Sequence, residues 1–100
     1  MDIIIVGDGK VGYTLAEQLS QEEHNVTIVD TSDEALRKAD EALDVMCVKG
    51  NGASVSTLRE AGAEHADILI AATSMDEINM VSCLTAKHMG TAFTLSLIHI

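Results

Sequence analysis

Gly7-Asp8-Gly9-Lys10-Val11-Gly12 is the stretch that decides the fold. An apolar run, Ile3-Ile4-Ile5-Val6, precedes it, and a helical pattern carrying Val11, Leu15, Ala16 and Leu19 follows it. Strand, glycine turn and helix is the context in which G-x-G-x-x-G points to a dinucleotide. Each glycine has its own task. Gly7 turns the chain off the strand, Gly9 leaves room for a pyrophosphate against the backbone, and Gly12 lets the helix pack closely. The free amides of the helix's first turn then face the phosphates, helped by the helix dipole. Asn25-Val26-Thr27-Ile28-Val29 reads as the next strand and ends on Asp30, 18 residues after Gly12. A strand-end carboxylate at that spacing accepts from the adenosine ribose hydroxyls and repels a 2′-phosphate, which favours NAD(H) over NADP(H). The residues after it, Thr31, Ser32 and Asp33, supply no cation for such a phosphate.

Outward from this motif the pattern repeats. Strands are expected over 2–6, 26–30, 44–48, 68–72 and 91–100. Helices are expected over 10–21, from the Thr31 cap to about 44, over 55–61 and over 76–89. Asn25 is expected to take the turn after the first helix. Thr31 with Glu34, and Ser74 with Glu77, fit capping boxes. Gly62 and Gly90 fit helix stops. The last helix is expected to bury the face traced by Ile78, Val81, Leu84, Thr85 and His88. Four βα units in series imply an α/β Rossmann-like, doubly wound parallel sheet of strand order 3-2-1-4-5, with helices on both faces. Lys49-Gly50-Asn51-Gly52-Ala53-Ser54 and Thr73-Ser74 fall just after the third and fourth strands. They therefore share the carboxyl edge with the glycine motif, where open α/β sheets bind ligands. The glycine-rich segment also reads as an ordinary strand-to-helix loop, and Ser74 as a helix cap.

Composition narrows the function classes. The 100 residues suit one domain, and 47% hydrophobic content suffices for a core. With Tyr13 and Phe93 as the aromatic residues and no Trp, that core is aliphatic. A net charge of −10 argues against nucleic acid or an anionic membrane as direct partner. No apolar run approaches the length of a membrane span, and no signal peptide is read at the N-terminus. Cys47 and Cys83 have no C-x-x-C partner and read as small buried hydrophobes of a reducing cytoplasm. His24 and His65 fall in turns or helix ends away from the ligand edge, and His88 at a helix C-terminus. None has metal-ligand spacing, and nothing offers an acid–base pair with a substrate clamp. The expectation is a binding module rather than an enzyme.

Three further stretches carry a resemblance. Val48-Lys49-Gly50-Asn51-Gly52 is followed by Leu58-Arg59-Glu60-Ala61-Gly62-Ala63-Glu64-His65-Ala66-Asp67, and then by Ala72-Thr73-Ser74-Met75-Asp76-Glu77-Ile78-Asn79-Met80. Together with the glycine motif they resemble the RCK/KTN (regulator of K+ conductance) N-terminal domain over residues 1–94. The likeness is greatest to the NAD-binding cytoplasmic regulatory subunit of Trk-type potassium uptake systems. The resemblance implies a domain that binds NAD(H) or adenine nucleotides such as ATP/ADP. It implies a homo-oligomer, dimers assembling into a ring, on a potassium-transporting membrane subunit. The expected location is cytoplasmic, peripheral on the inner membrane face, with no membrane insertion of its own. Ligand binding would reshape the ring and so gate transport. Gly7, Asp8, Gly9, Lys10, Val11 and Gly12 would hold the pyrophosphate, and Asp30 the adenosine ribose. Asn51 and Gly52 would lie by the adenine, and Thr73 and Ser74 by the other half of the cofactor. Lys10 has a second reading as a merely exposed side chain. The alternative function is the cofactor-binding half of an NAD-dependent oxidoreductase.

The resemblance stops near the end. Leu95-Ser96-Leu97-Ile98-His99-Ile100 departs from the family and equals the translation of a transposon-end adapter, CTGTCTCTTATACACATC. Residues 95–100 are therefore expected to be a non-native tail, and 1–94 an incomplete domain truncated after strand five. The competing reading is a genuine β-strand.

Overall fold

The computed structural model describes residues 1–97. The elements in chain order are β1 (Asp2–Val6), α1 (Lys10–Gln21), β2 (Asn25–Asp30), α2 (Asp33–Ala42), β3 (Met46–Lys49), α3 (Val55–Glu60), β4 (Ile68–Ala71), α4 (Asp76–Met89) and β5 (Phe93–Ser96). The strands form one sheet of order β3-β2-β1-β4-β5, every neighbouring pair parallel. This is the expected Rossmann-like arrangement, its switch point between β1 and β4.

The alternation of β1 splits the core in two. Ile3 and Ile5 pack with Ala16 of α1, Val26 and Ile28 of β2, and Leu36 and Ala39 of α2. Ile4 and Val6 face the other way, toward Leu58 of α3 and Ala86 of α4. Burial on both faces is why the strand reads as a continuous apolar run. Ile5 and Ile28 are wholly buried, so truncating either to Ala costs about 3 kcal/mol. The register places Val6 opposite Val29 on one side and Ala71 on the other. The residues that follow, Gly7, Asp30 and Ala72, therefore emerge together at the carboxyl edge.

Several expectations are corrected. Ser32, not Thr31, caps α2. Its Oγ accepts from Ala35 N at 3.2 Å, because Asp30 Oδ1 accepts from Ser32 N at 2.8 Å and orients the turn. The Ser74–Glu77 capping box is absent. Met75 occupies the cap position of α4 without a side-chain bond. Glu23 rather than Asn25 takes the positive φ after α1 (66°), and Asn25 begins β2. The third strand starts at Met46, two residues later than expected.

The largest departure is on α4. Its buried residues are Asn79, Ser82 and Ala86, while Val81 is 45% and Leu84 70% exposed. The polar side chains are accepted inside because each meets backbone partners, which removes the cost of burying them. Ser82 Oγ donates to Gly52 O at 2.7 Å, and Asn79 Nδ2 donates to Leu97 O at 3.1 Å. Met80, Val81 and Leu84 of α4 are left exposed, as are Phe93 and Leu95 of β5. Val11, which opens the apolar pattern of α1, is 43% exposed on its first turn.

Of the tail expected at 95–100, Leu95 and Ser96 pair with Ile70 and Ala71, and Leu97 N donates to Ala71 O at 2.9 Å. Residues 98–100 lie outside the described residues.

Candidate dinucleotide cleft at the carboxyl edge

The glycine turn has the geometry its sequence requires. Gly7 has φ +104°, a conformation that costs an L side chain strain. A Cβ on Gly12 would collide with the carbonyl oxygen of Gly7, so the close approach is of the helix to the turn itself. Gly9 differs from both. A Cβ built there meets nothing within 4 Å. No described residue fills that space, which leaves it open on the cleft side.

Gly9 is also the cap residue of α1, and no side chain bonds the helix's first-turn amides. Its first turn holds no acid. The first N–H groups of a helix have no partner within it, so α1 presents uncapped donors and the positive end of its dipole to the edge.

Asp30 stands beside this end. Its Oδ2 accepts from Asp8 N at 2.7 Å and its Oδ1 from Ser32 N at 2.8 Å. The carboxylate is thus fixed by amides at the start of both α1 and α2. It is partly buried and lines a cleft of about 440 Å³. Such a volume fits a small-molecule site. Gly7, Gly9, Asp30, Asn51, Gly52, Thr73 and Ser74 all line that cleft. The fold thereby gathers seven of the eleven sequence-predicted residues around one space.

The other four stand apart. Lys10 and Val11 are exposed on α1, and Gly12 is buried beneath the turn. Asp8 points away from the cleft. It is 9% exposed, and it lines a separate cavity between α1 and α2 together with Lys10, Tyr13, Glu34 and Lys38. Neither of its oxygens has a hydrogen-bond partner. Burial, and secondarily the Asp30 charge, push its carboxyl up to about 6, and Lys38 only partly opposes them.

Several contributors were missed in the sequence. Thr31, Met75 and Ile78 also line the cleft, as does Gly50, which the sequence had already placed on this edge. Asn79 holds its far wall. Its Oδ1 accepts from Thr73 N at 2.9 Å and from Thr73 Oγ1 at 2.6 Å, and its Nδ2 donates to Thr73 O at 3.1 Å. The only signal for Asn79 was its polarity among apolar helix neighbours. Thr73 is thus a positioned wall residue rather than a simple helix cap.

A second cavity of about the same volume opens at the amino edge, lined by Asp2, His24, Asp44 and His65. Its glycine, Gly62, turns the chain at the end of α3 instead of opening a helix, and no uncapped helix N-terminus faces it, so chemistry rather than size selects the carboxyl-edge cleft. Cys47 and Cys83 are half-buried, and burial raises both thiols above their ordinary range. A raised thiol pKa disfavours the nucleophilic thiolate.

The sheet order, the glycine turn and the cleft define a Rossmann-like α/β domain with a candidate ligand cleft at its carboxyl edge. The comparisons identify it further: residues 3–99 match the TrkA-N domain, and the chain belongs to that family. The Trk system potassium uptake protein TrkA of Halomonas elongata is 50% identical over 86 residues, which are 86% of this chain and 19% of that protein. The chain therefore spans about a fifth of the length of this relative. Among solved structures, the NAD(P)-binding domain of an exopolyphosphatase-related protein from Archaeoglobus fulgidus superposes with a TM-score of 0.85. That match is at 18% identity, over 99% of this chain and 74% of the other. The GsuK channel bound to NAD gives a TM-score of 0.78 at 22% identity, over 94% of this chain and 17% of that one. At these identities the structural likenesses speak for the fold alone.

Proposed function

We propose that this chain is the NAD(H)-binding regulatory domain of a potassium uptake system. The observation that carries the reading is the meeting of three features in one cleft: the uncapped α1 N-terminus, the unfilled space at Gly9 and the fixed carboxylate of Asp30. The pyrophosphate would sit on the amides from Gly9 to Gly12. The adenosine ribose would bond Asp30, with Asn51 and Gly52 toward the adenine and Thr73 and Ser74 toward the nicotinamide half. Asp30 disfavours a 2′-phosphate by charge, and it accepts ATP or ADP ribose as readily as that of NAD.

A regulatory rather than enzymatic role is supported by the cleft's chemistry and by the family. Asp30 is the one titratable side chain lining the cleft among the described residues, and amides occupy both its oxygens. The TrkA-N match and the TrkA relative join the domain to potassium uptake. The partner in this reading is a potassium-transporting membrane subunit. The domain lies on its cytoplasmic face, and nucleotide binding gates transport. No helix among the described residues is long and apolar enough to cross a membrane. The exposed apolar residues of α4 and β5 supply a surface for assembly with further copies in a ring.

Calorimetric titration with NADH, NADPH and ATP in parallel tests the reading. Binding of NADH or ATP, with NADPH at least about tenfold weaker, is expected. Absence of binding by all three would overturn it.

A further inference from the structure

Asp8 is not accounted for by the cleft. It follows Gly7 in the turn, yet its side chain is enclosed between α1 and α2 with both oxygens unpartnered. A buried carboxylate without hydrogen bonds is costly, and the cost falls on its charged form alone. The groups facing it do not remove that cost. From α1 come Lys10 and Tyr13, from the end of β2 Asp30, and from α2 Glu34 and Lys38. Cys47 of β3 lies close enough to feel its charge. Lys38 Nζ stands 5.2 Å from the centroid of the Tyr13 ring and forms no ion pair with Asp8. The like charge that acts on it is Asp30, whose Oδ2 accepts from Asp8's own amide.

The cavity of Asp8 and the ligand cleft share one wall. Gly9 lines both. An anion seated on the amides after Gly9 would lie across that shared wall from Asp8.

We propose that nucleotide binding in this cleft is coupled to uptake of a proton by the enclosed Asp8, so that the domain reads pH together with its nucleotide. The inference rests on the dinucleotide reading above. Two added phosphate charges disfavour a carboxylate beside them, and the proton removes the repulsion. The sign follows from linkage: the liganded state binds the proton more tightly than the free state, so affinity rises as pH falls. Burial pushes the carboxyl of Asp8 up to about 6 in the free domain. A further rise of about one unit on binding makes affinity about fivefold greater at about pH 6 than at about pH 8.

NAD+ suits the test because its pyrophosphate keeps a constant charge across this range. Calorimetric titrations of the whole chain at pH 6, 7 and 8, in two buffers of different ionisation enthalpy, read affinity and protons together. The expected result is about fivefold tightening toward pH 6, with net proton uptake. Asp8→Asn, which mimics the neutral acid, is expected to bind with flat pH dependence and without uptake at that site. Binding of NAD+ with equal affinity and no buffer dependence overturns the coupling and leaves the nucleotide reading intact. So does a pH dependence that survives in Asp8→Asn. Absence of NAD+ binding at every pH overturns both. Should Asp8→Asn not fold, carbon NMR of the wild-type Asp8 carboxyl decides. Its titration midpoint must move upward when NAD+ is added, and an unmoved midpoint overturns the proposal.

Discussion

Two helices begin side by side at the carboxyl edge and are finished in opposite ways. The start of α2 is closed: Ser32 Oγ accepts from Ala35 N, and Asp33 and Glu34 stand in the first turn against the dipole. The start of α1 is open: Gly9 offers no side chain, and no acid follows it. Asp30 joins them, taking one amide from each. The contrast separates a helix end closed by its own side chains from one left open. Where a helix end needs only to be stable, the chain supplies its own acceptors. Where the end faces the cleft, the chain supplies no side-chain acceptor among the described residues.

The contrast can be tested most severely at Gly12. Gly12→Ala drives a methyl into the Gly7 carbonyl, so the open turn itself should be lost. Destabilisation of about 3 kcal/mol in urea unfolding is expected, with NADH binding abolished. A stable variant that still binds would mean that the turn is not the site. Asp30→Ala removes the link between the two helix starts. NADH affinity should fall about 100-fold by calorimetry, as expected for a charged acceptor lost from a ribose. Unchanged binding would remove the ribose assignment.

Gly9→Ala sharpens the contrast, because the protein has room for the methyl and the ligand does not. Stability should fall by no more than about 1 kcal/mol, the cost of Ala at a helix cap, while NADH affinity falls about tenfold. Equal affinity would show that no ligand approaches there. Ser32→Ala is the reverse case. It should cost about 1 kcal/mol of stability and alter NADH affinity less than about twofold. A large binding defect would make α2 part of the site.

The difference between the helix starts also explains what could be read in advance. The bounds of β1, α1 and α4 match their sequence patterns, because apolar period and glycine position are local signals. The glycine turn and Asp30 were legible for the same reason. The cap of α2 was placed one residue early, since Thr31 and Ser32 are equally good caps in sequence. The choice fell to Asp30 Oδ1, which holds Ser32. The interior face of α4 was misread because apolar spacing favoured Val81 and Leu84, both exposed. Asn79 and Ser82 go inside because Leu97 O and Gly52 O, 18 and 30 residues away, accept their hydrogens.

By itself, then, the sequence determined the parallel α/β sheet, the glycine turn, and the acid that ends the second strand. Those depend on residues within a few positions of one another. The tertiary structure alone decided which polar groups are buried. It aimed Asp8 into its own cavity rather than the cleft, and it set Asn79 behind Thr73. Burying a polar group is settled by whether distant backbone supplies its partner. For Asn79 the fold supplies one, and for Asp8 it supplies none.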